Sequence, residues 1–309
     1  MAAVEPFPGP VFIGGSARAG THATGRLVAA HPRYHLIPVE VRFHAARGGL
    51  PDLLAGEVGP DEFAERCRGY WWRSGLRRLR GDEEGDRAWL DAALERFRAA
   101  YDREPAGACR ELVQAVLDPE AERHGKPSWT EVTGPNIAAA PALLRLLPRA
   151  RFINMVRDGR AVVASMLKKQ GMTDDPLRAL EIWERRVRHA DAAMRRVTPG
   201  AALVLSLDDL VAFDREGTFR RLVEFLEVED DASMRSHFEQ HVSADRAHVG
   251  RWRERMAPPD ARRVDRHYRR VIRDLRRDGI GWAPEPEPRM ARLRSARRRL
   301  RPPLRPRGS

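Results

Sequence analysis

Three short apolar runs, each closed by glycine or charge and each followed by a helix-like pattern, set the frame of this sequence. Val11 to Gly14 (VFIG) ends in glycines and leads into a helical pattern from about Gly20 to Ala30 that stops before Pro32. Arg151 to Val156 (RFINMV) leads into a helical pattern from Asp158 to Lys169, with Val162, Val163, Met166 and Leu167 on one face. Ala202 to Leu207 (ALVLSL) precedes Asp208, Asp209 and a helical stretch from Glu216 to Leu226. Apolar on both faces and separated by helices, these runs predict strands of a parallel sheet covered on both sides. The fold class is therefore α/β. Ser128 to Val132 (SWTEV) predicts a further strand, followed by a helix from Asn136 to Leu147. Residues 57–125 read as a helical insertion, and two later helices run from Pro176 to Val197 and from Pro258 to Arg277. There is no internal repeat.

The length of 309 residues suits one large domain with appendages. We place the domain at 8–283 and a basic tail, expected to be disordered, at 284–309. The net charge of +12 suggests nucleic acid until it is located, because residues 289–309 hold nine arginines and no acid. The other 288 residues then carry 12 − 9 = +3, so no basic folded face is predicted and nucleic acid is not an expected partner. Cys67 and Cys109 allow at most one disulfide, and Met1 to Gly20 lacks the pattern of a signal peptide. No apolar run reaches the roughly 20 residues of a membrane span. A cytoplasmic protein is the expectation.

The segment IGGSARAGTHATGRL, from Ile13, sets Gly15 and Gly20 five apart between a strand and a helix. Backbone N–H groups and a helix N-terminus can converge there on a phosphate, although ordinary turns use glycine too. Thr21 and His22 stand where a nucleoside triphosphatase would have its lysine and its magnesium-binding hydroxyl, which argues against a triphosphate with magnesium. Arg18 supplies positive charge inside the loop. In the second unit Arg157 stands at the strand end and Ser165 eight residues on, about two helical turns later, so both can face one anion. Taken alone, Arg157 and Asp158 also fit a helix start with a cap and an ion pair.

Together the two segments resemble the sulfotransferase superfamily. FIGGSARAGTH is similar to its 5'-phosphosulfate loop, and VRDGRAVVASM to its 3'-phosphate motif of Arg, seven residues and Ser, as in the protein-tyrosine sulfotransferase branch and bacterial relatives. SWTEVTGPN from Ser128, VLSLDDLV from Val204 and VGRWRERM from Val249 are looser matches, and the resemblance spans about residues 10–256. It implies a P-loop-like α/β fold and 3'-phosphoadenosine 5'-phosphosulfate as donor, released as 3'-phosphoadenosine 5'-phosphate, with no metal. By position, Gly15, Ser16, Ala17, Arg18, Ala19, Gly20, Thr21 and His22 would cradle the 5' end. Arg157, Ser165 and Lys169 would hold the 3'-phosphate, and Arg251 and Arg253 would close over the cofactor, although both also fit exposed arginines of a basic chain. The chain departs from the pattern at Ala19 and His22, which replace hydroxyl residues, and at Val132, which stands in the place of a lysine, with Gly134 added before Pro135. Arg18 would then carry more of the charge stabilisation.

Sulfuryl transfer needs an acceptor hydroxyl in line with the leaving phosphate, a group to take its proton, and positive charge where negative charge accumulates. In HPRYHLIPVEVRFH, Glu40 and Arg42 resemble the E-x-R of the tyrosine-sulfotransferase branch, whose glutamate is the base. His22 and His44 are rival bases, and an ion pair with Arg42 is the alternative role for Glu40. Ser243 resembles a family serine near the sulfuryl group. Trp71, Trp72, Trp89 and Phe97 in the insertion could line an acceptor pocket, but aromatics at helical spacing more often build a core. The expected partner is a small-molecule acceptor: an alcohol, a phenol or a sugar. A small-molecule kinase is the rival enzyme class, and a basic nucleic-acid-binding protein the rival of another class.

Overall fold

A computed structural model describes residues 9–80, 86–169 and 172–284. Five short strands, β1 (Val11–Gly15), β2 (Tyr34–Leu36), β3 (Ser128–Val132), β4 (Arg151–Val156) and β5 (Ala202–Ser206), form one sheet in the order β2-β3-β1-β4-β5. All four pairings are parallel, and Ile13 of β1 sits between Val132 and Ile153. Strand alternation sends Val11 and Ile13 to one face and Phe12 to the other, and each face is buried by its own set of helices. On the Ile13 face lie the helices Thr21–Ala29, Arg215–Leu226 and Ala232–His241. The Phe12 face carries Asn136–Leu146, Pro105–Arg123 and the insertion. A third apolar cluster joins the helices Gly159–Met166, Pro176–Met194 and Pro258–Arg277 around Trp183 and Tyr268.

The α/β class and the parallel sheet agree with the sequence reading, and β2 is an addition to it. That strand has three residues, with His35 in the middle and a proline two positions after Leu36, so it carries no apolar run to detect. The insertion is helical, with Ala88–Tyr101 packed along Pro105–Arg123. Trp71 and Phe97 are buried with Phe63 in its core, while Trp72 and Trp89 pack against the outside of the same cluster. The four aromatics therefore serve the packing of the insertion. Except for Pro284, the predicted tail lies outside the described residues. Pro284 belongs to the fold, since its carbonyl accepts from the buried Tyr268 hydroxyl at 2.5 Å.

Candidate active site

The connection from β1 runs to one side of the sheet, toward β2, and the connection from β4 runs to the other, toward β5. The carboxyl ends of β1 and β4 consequently diverge into a crevice, the usual ligand position in an open parallel sheet. Both sequence motifs open into it. Gly15 has φ 143°, and a Cβ there would come within 2.1 Å of the Met155 carbonyl oxygen, so only glycine lets β1 leave the sheet at this point. Ala17, Arg18 and Gly20 follow with φ of 57°, 51° and 88°, all left-handed. This tight loop leaves the N–H groups of Arg18, Ala19 and Gly20 without an acceptor among the described residues, directly before the helix Thr21–Ala29. Such an array of donors at a helix N-terminus suits an anion.

Arg18 Nε donates to the Ser165 hydroxyl at 2.9 Å, which joins the two motifs. Arg157, 7% exposed, donates to the carbonyl oxygen of Arg18 at 3.2 Å and also to that of Ala247. Burial pulls its pKa below the ordinary arginine value, with Asp208 and Asp158 opposing and Arg255 and Arg18 adding to the shift. Arginine titrates so high that it stays charged regardless. The segment that supplies Ala247 is fastened from behind by Trp252, which is buried and lies 4.8 Å from the Arg160 guanidinium. Arg160 in turn donates to Asp158 at 2.7 and 3.0 Å and to Asp265. The late segment is thus tied to the residue that follows Arg157.

These elements enclose a cavity of about 1070 Å³. Eight basic side chains line it: Arg18, Arg26, Arg42, Arg157, Lys169, Arg186, Arg246 and Arg255. Among the described residues Glu40 is the one lining carboxylate, so this lining is far more basic than the rest of the chain. Arg42, itself at φ 63°, donates to Glu40 Oε2 from Nε at 3.2 Å and from Nη2 at 2.9 Å. His22 Nε2 lies 3.5 Å from Glu40 Oε1. The hydrogen bond from His22 holds the Glu40 carboxyl below the usual glutamate value, burial opposes that shift, and Arg42 reinforces it.

Behind the cavity, Glu131 is fully buried at the end of β3 and accepts from Thr133 Oγ1 at 2.5 Å and from Asn136 Nδ2 at 2.7 Å. His44, also fully buried, places Nε2 2.7 Å from Asn136 Oδ1 and 3.1 Å from Glu131 Oε2. A buried carboxylate is tolerated only with such partners, and the network fixes the turn that carries Thr133, Gly134 and Pro135 to the cavity wall. His44 lies in this network and outside the cavity lining. Val132 is buried in the sheet core against Gly25.

Of the residues singled out in the sequence, the cavity gathers Gly15, Ala17, Arg18, Gly20, Thr21, His22, Glu40, Arg157, Ser165, Lys169 and Ser243. Ala19 is buried in the core beneath the loop, and Ser16 is buried with an unpartnered hydroxyl. Arg251 and Arg253 stay outside the cavity: Arg251 pairs with Glu254, while Arg253 stacks on Trp252 at 4.3 Å and faces Asp265. Arg246 and Arg255, flanking them in sequence, reach the cavity instead. Tyr70 was missed by the sequence reading. It lines the cavity from the insertion and, at 58%, is the one exposed large hydrophobic side chain among the described residues. Arg186 and the ring pair His237 and His241 were missed as well.

Residues 10–232 match the Sulfotransferase family. The chain belongs to that family, whose donor is 3'-phosphoadenosine 5'-phosphosulfate. Among curated proteins it is similar to protein-tyrosine sulfotransferase 1 of Danio rerio, 29% identical over 164 residues, which covers 52% of this chain and 36% of that protein. It is also similar to protein-tyrosine sulfotransferase 2 of Gallus gallus, 30% identical over 162 residues, covering 52% and 34%. The matched region therefore spans about a third of the length of these relatives. Among solved structures, the sulfotransferase domain from the curacin biosynthetic pathway aligns with a TM-score of 0.52 at 17% identity, covering 84% of this chain and 97% of that one. The sulfotransferase domain of the Synechococcus PCC 7002 olefin synthase aligns at 0.50 and 20%, covering 84% and 94%. At these identities the two structures speak for the fold. Among the described residues no helix is long and apolar enough to cross a membrane.

Proposed function

We propose that this chain transfers a sulfuryl group from 3'-phosphoadenosine 5'-phosphosulfate to a hydroxyl of a small-molecule alcohol, phenol or sugar. The observation that carries the reading is the Arg18–Ser165 bond, which sets the anion loop after β1 and the Arg157 motif after β4 on one cavity. A ligand with phosphate at both ends of its nucleotide fits two such sites better than a ligand with one phosphate cluster. The donor set agrees with it: loop N–H groups, a buried Ser16 hydroxyl and an Arg157 Nε that have no partner among the described residues.

The bound donor supplies the sulfuryl group and takes the leaving electrons onto its 5'-phosphate. Arg18 and the loop N–H groups meet the negative charge that grows there, and preorganised donors of this kind are worth several kcal/mol, about 3 for one. Arg157 and Ser165 hold the other end, with Lys169 at the rim. His22 and Arg42 favour the ionised form of Glu40, which can accept a hydrogen bond from the acceptor hydroxyl. As the hydroxyl oxygen bonds to sulfur its proton becomes strongly acidic, and a weak base suffices to take it. Arg42 and His22 fix the direction of that carboxylate.

A magnesium nucleoside triphosphate is disfavoured by the same residues, because the single lining carboxylate among the described residues is already engaged by Arg42 and His22. The test is incubation with sulfur-labelled donor and a panel of alcohols, phenols and sugars. Label appearing on at least one acceptor supports the proposal, and equal turnover in an Arg18→Ala variant contradicts it.

A further inference from the structure

We propose that the acceptor carries an anionic group, such as a carboxylate, and that Arg186 binds it; this rests on the sulfuryl-transfer reading above. Arg186 belongs to the helix Pro176–Met194, which contributes to neither phosphate motif, yet it lines the same cavity. It is half-buried, and its guanidinium forms no hydrogen bond or ion pair with any described residue. In the same helix Arg188 pairs with Glu184 and Asp278 and Arg178 with Glu181, while Arg185 is exposed and left to solvent. A guanidinium withdrawn from water without a partner is costly, and that cost is recovered when a ligand supplies the anion.

The charge balance of the cavity points the same way. Arg42 is met by Glu40, and Arg157 has Asp208 near it. Arg18, Arg26, Lys169, Arg186, Arg246 and Arg255 form no ion pair with a described residue, which leaves six positive charges before Arg157 is counted. The donor brings about four negative charges near neutral pH, roughly two on the 3'-phosphate and two on the phosphosulfate. Arg18, Arg26, Lys169 and Arg246 are exposed, so solvent screens much of that surplus, and an anionic acceptor offsets the part that remains at the half-buried Arg186. Tyr70, standing exposed on the insertion side of the cavity, offers the acceptor an aromatic surface.

The experiment is calorimetric titration of the protein loaded with 3'-phosphoadenosine 5'-phosphate, using neutral and carboxylated partners of one skeleton. The pairs are 4-hydroxybenzoate with its methyl ester, and glucuronate with glucose. At least one carboxylate should bind about 10- to 100-fold more tightly than its neutral counterpart, the range of a charge-assisted contact. Arg186→Gln should remove that preference, Arg186→Lys should keep part of it, and both should bind the nucleotide with unchanged affinity. The inference is overturned if neither carboxylate binds by about 10 mM, a very weak affinity, or if the neutral partners bind equally well. It is also overturned if Arg186→Gln weakens the nucleotide, which would assign Arg186 to the donor. Failure of the wild-type protein to bind the nucleotide at all is a separate result, and it overturns the sulfuryl-transfer reading together with this one.

Discussion

Arg18 and Ser165, 147 residues apart in sequence, are joined by a 2.9 Å hydrogen bond from the arginine Nε to the serine hydroxyl. One end of the guanidinium is thereby fixed, on a side chain that lines the cavity between the two motifs. Ser165→Ala removes both that anchor and a hydroxyl available to phosphate. It should weaken 3'-phosphoadenosine 5'-phosphate by about 1 kcal/mol. Arg18→Ala should cost more, about 2 to 3 kcal/mol in binding, and should reduce turnover further because the lost charge also faces the leaving phosphate. Calorimetry with each variant, followed by turnover at saturating donor, separates the two effects.

Arg157→Ala should weaken the bisphosphorylated nucleotide by about 1.5 to 3 kcal/mol and hardly affect adenosine 5'-phosphate. Arg157 also donates to the carbonyl groups of Arg18 and Ala247. If its main task were to hold those two segments, both nucleotides would lose affinity equally, and paired titrations decide between the two roles.

Glu40 is held below the ordinary glutamate value by His22 first and by Arg42 as well. Its ionised form therefore persists to lower pH than in a free glutamate, whose pKa is about 4.3. The acid limb of kcat/KM should accordingly fall below that value, and Arg42→Gln should move the limb upward by removing a cation. Glu40→Gln should leave nucleotide binding intact and lower turnover by roughly 10²- to 10⁴-fold. Turnover equal to wild type in Glu40→Gln would pass the role of base to His22, whose alanine variant is then the informative one.

Trp252 is 4% exposed and stacks between Arg160 and Arg253. Trp252→Ala should destabilise the protein by about 3 kcal/mol, at the low end for a buried tryptophan. Because the segment it fastens brings Ala247, His248 and Arg255 to the cavity, nucleotide affinity should fall in the same variant at temperatures where it remains folded. Unfolding in urea and titration at low temperature measure the two losses. Unchanged nucleotide affinity would show that the segment keeps its place without the indole.

The parts legible in the sequence are those where local pattern and tertiary need coincide. β1 and β4 are runs with both faces buried, β5 is an apolar edge run that is only half-buried, and Gly15 marks a turn that no side chain could take. Arg18, Arg157 and Ser165 stand next to those strands, so placing the strands places them. β2 was hidden because a three-residue edge strand with a central histidine has no period to read. Arg186 was hidden among Arg185 and Arg188 in a helix rich in charge. Its signal lies in its position, three residues after Trp183 and adjacent to Val187, both on the buried face of that helix. Tyr70 was obscured by its neighbours Trp71 and Trp72, and only the π-turn over Cys67–Trp71 decides which of these rings faces out. The choice of Arg255 and Arg246 over Arg251 and Arg253 depends on where Trp252 docks, a contact with Arg160 some ninety residues earlier.

The central claim is that one cavity recognises a nucleotide by phosphates at both of its ends, and calorimetric titration tests it most directly. Wild-type protein is titrated with 3'-phosphoadenosine 5'-phosphate, and separately with ATP plus magnesium. The account predicts micromolar or tighter binding of the bisphosphate, about 100-fold or more ahead of the triphosphate, as two charge-assisted contacts to the 3'-phosphate imply. Tighter binding of magnesium ATP would contradict it.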